Sequence, residues 1–202
     1  MDSVETPGHL PSRSLLALVW TCFSVACFFV VLRTAVRLRS VDRFSFEDYW
    51  IFLALATLLT TCILQTIQLP SLYYMTASIA GVIPLTGGLV SQGDDYLRYE
   101  FAIIGLFWTV LWCVKASFLA LYYRLFLELP AYRRAWYALS AFTFCAYVGC
   151  WITAVMTCHP IINFFEFGGC DTDQDIWGSR MSVYYSTAVD VFTDLCSKCA
   201  PL

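Results

Sequence analysis

The sequence predicts an all-α, polytopic helical membrane protein, and two observations lead to that class. Hydrophobic residues make up 59% of the 202 residues and charged residues only 13%, which leaves too little polar surface to cover a soluble globule. In addition, four stretches hold about 20 largely apolar residues each, the length that crosses ~30 Å of hydrocarbon. They are residues 14–32, 49–69, 101–123 and 135–157, and a partial fifth span is expected over residues 181–202.

The first span has an alternative interpretation as a cleaved signal peptide. Its apolar run is longer than the usual core of a signal peptide, and no basic segment precedes it. Four arginines follow it instead, within residues 33–43, which favours a retained anchor preceded by an outer tail, residues 1–13. The other spans have buried soluble helices as their alternative, but four such helices in one small chain are not expected.

Local signals mark the ends of the second span. Ser45 followed by Asp48 fits a capping box at its start, and Glu47 beside them favours the positive end of the helix dipole. Capping alone accounts for both acids. Pro70 is predicted to end this span, and residues 81–93, which include Gly and Pro, are predicted to form an outer loop.

Basic residues in the short connections predict the orientation, because Lys and Arg resist translocation. The connections after spans one and three hold seven: Arg33, Arg37, Arg39, Arg43, Arg124, Arg133 and Arg134. The N-terminal tail and the other connections hold three: Arg13, Arg98 and Arg180. The count predicts an outer N-terminus and cytosolic arginine-rich connections, and the plasma membrane is the expected location.

Acidic residues gather on the predicted outer side, at Asp94, Asp95, Glu100, Glu166, Asp171, Asp173 and Asp175. A negative surface of this kind would attract cations or basic ligands. Solvated loops account for the same residues without any ligand, and they are the favoured interpretation.

The ten cysteines fall into three groups by location. Six lie inside spans, where cysteine is commonly a small apolar filler. Cys158 and Cys170 both face the predicted outer, oxidising side, which favours a disulfide between them, with free thiols as the alternative. Cys196 and Cys199 form a CxxC, but no second ligand pair accompanies them, so zinc or redox chemistry is not expected.

No pattern in the sequence indicates catalysis. His9 lies in the tail and His159 lies beside Pro160, so neither belongs to a histidine cluster or to a nucleophile–base pair. Phosphate-binding glycine loops and basic tracts are absent as well, so neither an enzyme nor a nucleic-acid-binding protein is expected. The lipid bilayer is the expected partner.

Lys115 is the most unusual residue, because it stands alone in the otherwise uncharged segment 101–123. An ammonium group deep in a bilayer costs ~2.5–3.5 kcal/mol on insertion scales, so it needs protein partners or water. Asp190 and Asp194 share one helical face, and rise arithmetic places Asp194 ~18 Å and Lys115 ~21 Å below the outer ends of their spans, near the middle of the bilayer. The three are predicted to form a buried charge network, which either locks helices together or takes part in ligand sensing or gating.

Four segments resemble the fungal rhodopsin-like integral membrane proteins, a group that includes the satratoxin-cluster membrane protein and receptor-like proteins of plant-surface sensing. They are LFWTVLWCVKASFLALYYRLF at 106–126, EDYW at 47–50, CHP at 158–160 with Cys170, and VDVFTDL at 189–195. The resemblance implies a seven-helix rhodopsin-like bundle with an outer N-terminus, which this chain is expected to leave truncated within the fifth helix. The family pattern falls on Asp48, Lys115, Ser117, Tyr122, Arg124, Cys158, Pro160, Cys170 and Asp194.

The chain departs from the family pattern at two places. QLPSLYYM at 68–75 replaces a motif that contains glycine and histidine, and Phe165 stands where a tryptophan is common. Retinal is not expected despite the family name, because microbial rhodopsins carry their Schiff-base lysine on the last helix, whereas Lys115 is on the third span. No other cofactor is expected.

Three functions are compatible with these features. The first is a receptor-like sensor of extracellular or surface cues that couples to an intracellular signalling protein, and it rests on family analogy and the predicted topology. The second is a transporter or membrane component of a secondary-metabolite pathway, which would use Lys115, Asp190 and Asp194 as a polar pathway. The third is a non-functional truncated product. The sequence identifies no ligand.

Overall fold

The computed structural model describes residues 11–41, 46–81, 88–125, 130–159, 161–170 and 172–199. These residues form five α-helices and one short 3-10 helix, and they contain no β-strand. The α-helices are α1 (Ser12–Val41), α2 (Phe46–Ile79), α3 (Gly88–Leu125), α4 (Pro130–Val155) and α5 (Asp173–Cys199), with the 3-10 helix (Ile161–Phe165) before α5. The predicted all-α fold is confirmed.

Four of these helices are long and apolar enough to cross a membrane: Ser12–Arg39, Phe46–Ser78, Val90–Tyr123 and Arg133–Val155. Each overlaps one of the four predicted spans, so the chain is a multi-pass integral membrane protein. Among the described helices, α5 does not reach the same mean hydropathy over its length. The mean hydropathy of α5 is lowered by Asp173 and Asp175 in its first turn and by Asp190 and Asp194 further along.

Two predicted boundaries are wrong. α2 continues through Pro70 to Ile79, so this proline does not end the span. Membrane helices tolerate an internal proline because neighbouring groups satisfy the backbone carbonyl that loses its partner. α3 begins at Gly88, so the connection is shorter than the predicted loop of residues 81–93.

The fifth helix also begins earlier than predicted. Its first residue is Asp173 rather than one near Met181. The carbonyl of Thr172 accepts hydrogen bonds from the backbone N–H groups of Asp175 and Ile176, at 2.9 and 3.1 Å. Polar residues open this helix, so a search for apolar stretches places its start too late.

The helices pack in chain order, and the interface between α2 and α3 is the most extensive. α1 packs on α2, α4 packs on α3, and α5 packs on α4. Two glycines permit close approach: a Cβ on Gly105 of α3 would collide with Trp151 of α4, and one on Gly149 of α4 would collide with Tyr185 of α5. Trp112 is buried at the contact between α3 and α4.

The two ends of the bundle differ in character. We call the end where α2 and α4 end and α3 and α5 begin the disulfide end, and the opposite end the arginine end. Cys158 and Cys170 form the predicted disulfide, with their Cα atoms 5.8 Å apart. Closing a loop this short stabilises the fold by roughly 2–3 kcal/mol in the chain-entropy model.

Acidic residues at the disulfide end bind backbone groups, so solvated loops do not account for all of them. Asp94 Oδ1 accepts a hydrogen bond from the backbone N–H of Phe167 at 2.8 Å. Asp175, which is only 7% exposed, accepts one from the backbone N–H of His159 at 3.3 Å. These contacts fasten the segment between α4 and α5 to the N-terminal parts of α3 and α5.

Candidate functional site

Lys115 lies on the face of α3 that meets α5. Its side chain is 9% exposed. The Nζ atom lies 5.0 Å from the centre of the Trp112 ring, a distance at which an aromatic face attracts a cation. The ammonium group is thus held inside the protein.

Four oxygen atoms of α5 surround the Lys115 ammonium group. Nζ lies 2.6 Å from Asp190 Oδ1 and 3.0 Å from Asp194 Oδ1. It donates hydrogen bonds to Thr193 Oγ1 at 2.6 Å and to the Asp190 carbonyl oxygen at 2.9 Å. Asp190 Oδ1 accepts no hydrogen bond, so its contact with Lys115 is an ion pair. Thr193, which is fully buried, accepts a hydrogen bond from Lys115.

The two aspartates are more exposed than the lysine. The Asp190 side chain is 33% exposed and the Asp194 side chain 53%. With one cation and two carboxylates, this cluster carries one excess negative charge when all three groups are ionised. The cation is therefore enclosed, while carboxylate oxygens reach the surface of α5.

A second charge cluster joins α1 to α2. Arg37 Nη1 donates to Asp48 Oδ1 at 2.9 Å, and Arg37 Nη2 donates to Glu47 Oε1; Arg33 Nη2 lies 3.8 Å from Glu47 Oε2. The planar guanidinium group holds two carboxylates at once, which suits arginine better than lysine. Both acids are buried ion-pair partners, so the prediction that capping alone accounts for them is wrong. Ser45, the predicted cap, lies outside the described residues.

Ser117 on α3 connects the two clusters. Its Oγ donates to the Glu47 carbonyl oxygen at 3.0 Å, and Lys115 lies two residues earlier, or ~3 Å along the helix axis. The two clusters are therefore at nearly the same level. We call the following residues the polar layer, which joins α1, α2, α3 and α5: Arg33, Arg37, Glu47, Asp48, Lys115, Ser117, Asp190, Thr193 and Asp194.

The polar layer lies nearer the arginine end than the middle of the bundle. α3 runs from Gly88 to Leu125, so Lys115 is ~40 Å from its start and only ~15 Å from its end at 1.5 Å per residue. These distances are measured from the helix ends. α3 has 38 residues and is ~57 Å long, well beyond the ~30 Å of hydrocarbon, so the predicted depth of Lys115 in the bilayer stays a prediction.

The structure brings some predicted residues together and leaves others apart. Asp48 and Ser117 belong to the polar layer with Lys115, Asp190 and Asp194. Tyr122 is half-buried further along α3. The side chain of Arg124 and all of Pro160 lie outside the described part of the chain.

Sequence reasoning did not include three residues that complete the site. Thr193 lies three residues after Asp190, and Trp112 lies three residues before Lys115, so helical spacing alone places each beside its charged neighbour. Arg37 carries no such signal, because its partners are on another helix.

A cavity of about 850 Å³ lies beside the polar layer, between α2, α3 and α4. Its walls include several aromatic side chains, among them Trp50, Trp136 and Tyr147. Glu47 and Trp112 also line it, and these two residues contact Arg37 and Lys115 respectively. A molecule in this cavity would therefore lie against both charge clusters.

The fold and the site define the class: a multi-pass helical membrane protein with a disulfide at one end and a layer of interhelical ion pairs near the other. The model of the fungal rhodopsin domain matches residues 32–202, and the chain belongs to that family. This confirms the predicted resemblance. Searches of the curated proteins and of the solved structures found no match.

Proposed function

We propose that this chain is a receptor-like sensor of extracellular or surface cues that signals to a protein in the cytosol. The observation that carries the proposal is the polar layer, whose ionic contacts and hydrogen bonds join four helices at one level. Packed interfaces with ion pairs have discrete arrangements, so a small shift of α5 against α3 exchanges one set of contacts for another. A signalling element needs an equilibrium of this kind.

The arginine end is the proposed cytosolic face. Arg39, Arg133 and Arg134 lie there with exposed side chains, and short basic segments favour the cytosolic side. An acidic surface on an intracellular partner would complement them. This orientation places the N-terminus outside, and we assign the chain to the plasma membrane.

Signalling is tested by comparing cells that carry the wild-type chain, Lys115→Met or the control Val114→Met. Val114 is 39% exposed on α3, so the control introduces the same side chain outside the polar layer. We expect Lys115→Met to change basal phosphorylation of intracellular kinases about fivefold or more, the lower range of allosteric coupling. Equal phosphorylation in all three, at matched abundance in the membrane, would contradict the sensor.

A transporter is the second candidate, because Asp194 contacts Lys115 while half of its side chain stays exposed. A carboxylate in that position can exchange a proton or bind a cation. Proteoliposomes separate the two functions. A voltage-driven proton flux that Lys115→Met and Asp194→Asn both abolish would favour transport over sensing.

The proposed orientation predicts the accessibility of epitope tags in intact cells. Tags at Met1 and within residues 82–87 should be cleaved by external protease, and a tag at Tyr132 should be protected, because the arginine-rich connections face the cytosol. Permeabilised cells serve as the control, in which all three tags should be cleaved. Protection of the Met1 tag in intact cells would overturn the orientation.

A further inference from the structure

The cavity beside the polar layer is built by one face of each of three helices. α3 supplies a floor of small side chains, Cys113, Ala116 and Ala120, whose spacing places them on one helical face. α2 and α4 supply aromatic walls that include Trp50 and Trp136. Among the described residues, both of these helices pack on α3 rather than extensively on each other, and the space between them is the cavity.

The cavity opens between α2 and α4, on the side of the bundle that faces the bilayer. Phe46 and Phe144 line it and are 71% and 68% exposed. Large apolar side chains with this exposure on membrane-spanning helices contact lipid. A lipid-soluble molecule can therefore enter sideways from the membrane.

The shape and lining favour a rigid, flat hydrocarbon. The volume of about 850 Å³ lies within the usual ~300–1,000 Å³ of small-molecule sites. Trp112, Trp136 and Tyr147 offer flat ring surfaces. A fused ring system loses little conformational freedom against such walls, whereas an acyl chain loses freedom at each rotatable bond.

Two polar atoms on lining residues lack hydrogen-bond partners within the described structure. They are Glu47 Oε2 and Ser140 Oγ, and both are buried. Glu47 Oε1 accepts a hydrogen bond from Arg37 Nη2, whereas the Arg33 guanidinium lies 3.8 Å from Oε2, beyond hydrogen-bond distance. Buried groups of this kind normally have a partner, so each of these atoms is available to a polar group of a bound molecule.

The two residues that carry these atoms lie at nearly the same level of the bundle. The Glu47 carbonyl is level with Ser117 through their hydrogen bond. On α4, the indole of Trp136 donates to the Leu119 carbonyl at 2.7 Å. α4 runs antiparallel to α3, so Ser140, one turn beyond Trp136, is level with residues 115–116.

We propose that the cavity binds a membrane sterol, with the fused rings over the alanine floor and the single hydroxyl group at Glu47 and Ser140. A hydroxyl group suits the chemistry of both atoms, because it can donate to a carboxylate oxygen and accept from a serine hydroxyl. Rotation about the Cα–Cβ bond aims the Ser140 hydroxyl at the cavity. The hydrocarbon of an acyl chain offers no such group, and a charged head group does not match an apolar lining.

If the sterol site is coupled to signalling, a sterol is the class of ligand that the proposed sensor detects. Trp112 and Glu47 line the cavity. Trp112 contacts Lys115 and Glu47 contacts Arg37, so a bound molecule would contact a neighbour of each half of the polar layer. This coupling rests on the proposed function, whereas sterol binding itself does not.

The test uses the full chain in nanodiscs with a sterol that carries a photoactivatable group. We expect crosslinks on the cavity faces of α2, α3 and α4, and unlabelled sterol should compete for them. Ala116→Phe fills the floor of the cavity and should lower competable crosslinking about tenfold, the loss expected from overpacking a binding site. The control Ala188→Phe places the same side chain on the exposed surface of α5 and should leave crosslinking unchanged.

Ser140→Ala tests the polar end without changing the shape of the cavity. It should weaken sterol affinity about two- to tenfold, the equivalent of one neutral hydrogen bond. If Ala116→Phe misfolds by circular dichroism, the affinity of Ser140→Ala decides the outcome.

Three results would overturn the sterol site: full crosslinking in Ala116→Phe, unchanged affinity in Ser140→Ala, or equal labelling of the cavity by a photoactivatable fatty acid. A different result separates the two proposals. If sterol binds as expected but does not change kinase phosphorylation, the sterol site stands and the coupling to signalling fails.

Discussion

The two halves of the polar layer enclose opposite charges. Between α1 and α2 the acids are buried, with Glu47 and Asp48 side chains 3% and 10% exposed around an Arg37 side chain that is 15% exposed. Between α3 and α5 the cation is buried, with Lys115 9% exposed and its two carboxylate partners 33% and 53% exposed.

This difference implies that the free-energy cost of removing one ion-pair partner depends on whether the remaining charge is buried. A charge that stays buried keeps its full desolvation penalty, whereas a charge whose side chain reaches water is solvated again and loses little. We therefore expect the α1–α2 half to act as a structural anchor. The α3–α5 half separates at a lower cost, which suits the part of the layer that moves in the proposed sensor.

The largest expected effect is that of Arg37→Met. This change leaves Glu47 and Asp48 buried beside each other without their shared cation, and loss of one partner from a buried ion pair typically costs about 3–5 kcal/mol. The free energy of unfolding in mixed micelles measures the loss. Arg37→Lys should recover part of it, because an ammonium group keeps the charge but not the planar fork.

Arg39→Met is the matched control for that experiment, because Arg39 is exposed on the same helix. Its free energy of unfolding should change by less than about 0.5 kcal/mol. If Arg37→Met is as mild as this control, the α1–α2 half is not an anchor.

The sequence was sufficient for the features that depend on composition or on one helix. The four spans follow from hydropathy, because the length of an apolar stretch is a local property. The Cys158–Cys170 disulfide follows from the location of two cysteines on one predicted side. Asp190 and Asp194 share a face because helical spacing fixes it.

Features that depend on the register between helices could not be predicted from the sequence. Glu47 and Asp48 satisfy a local capping pattern, and only the packing of α1 on α2 reveals that Arg37 binds them. The length of α3 was underestimated because thirteen mostly polar or small residues, from Gly88 to Glu100, precede its apolar stretch. The cavity was not predicted at all, because it is formed jointly by three helices.

The second largest effect is expected for Lys115→Met. Asp190 Oδ1 and the Thr193 hydroxyl lose a partner inside the bundle, and leaving such groups unsatisfied costs about 1–3 kcal/mol. Combining the change with Asp190→Asn should cost less than the sum of the two single changes, because the pair is removed together. Strictly additive losses in this double-mutant cycle would mean that the two residues do not interact in the membrane.

The smallest effect is expected for Asp194→Asn. Asp194 Oδ1 lies 3.0 Å from Lys115 Nζ, but its side chain is 53% exposed, and ion pairs of exposed groups contribute less than about 1 kcal/mol. Lys115 also keeps Asp190 and Thr193 as partners, so the buried cation is not stranded. Asp173→Asn, at the exposed start of the same helix, is the control, and its free energy of unfolding should change by a similarly small amount. If Asp194→Asn lowers the free energy of unfolding as much as Lys115→Met does, the Asp194 carboxylate is enclosed by lipid or by another chain. The two halves of the polar layer would then not differ in the exposure of their carboxylates in the membrane.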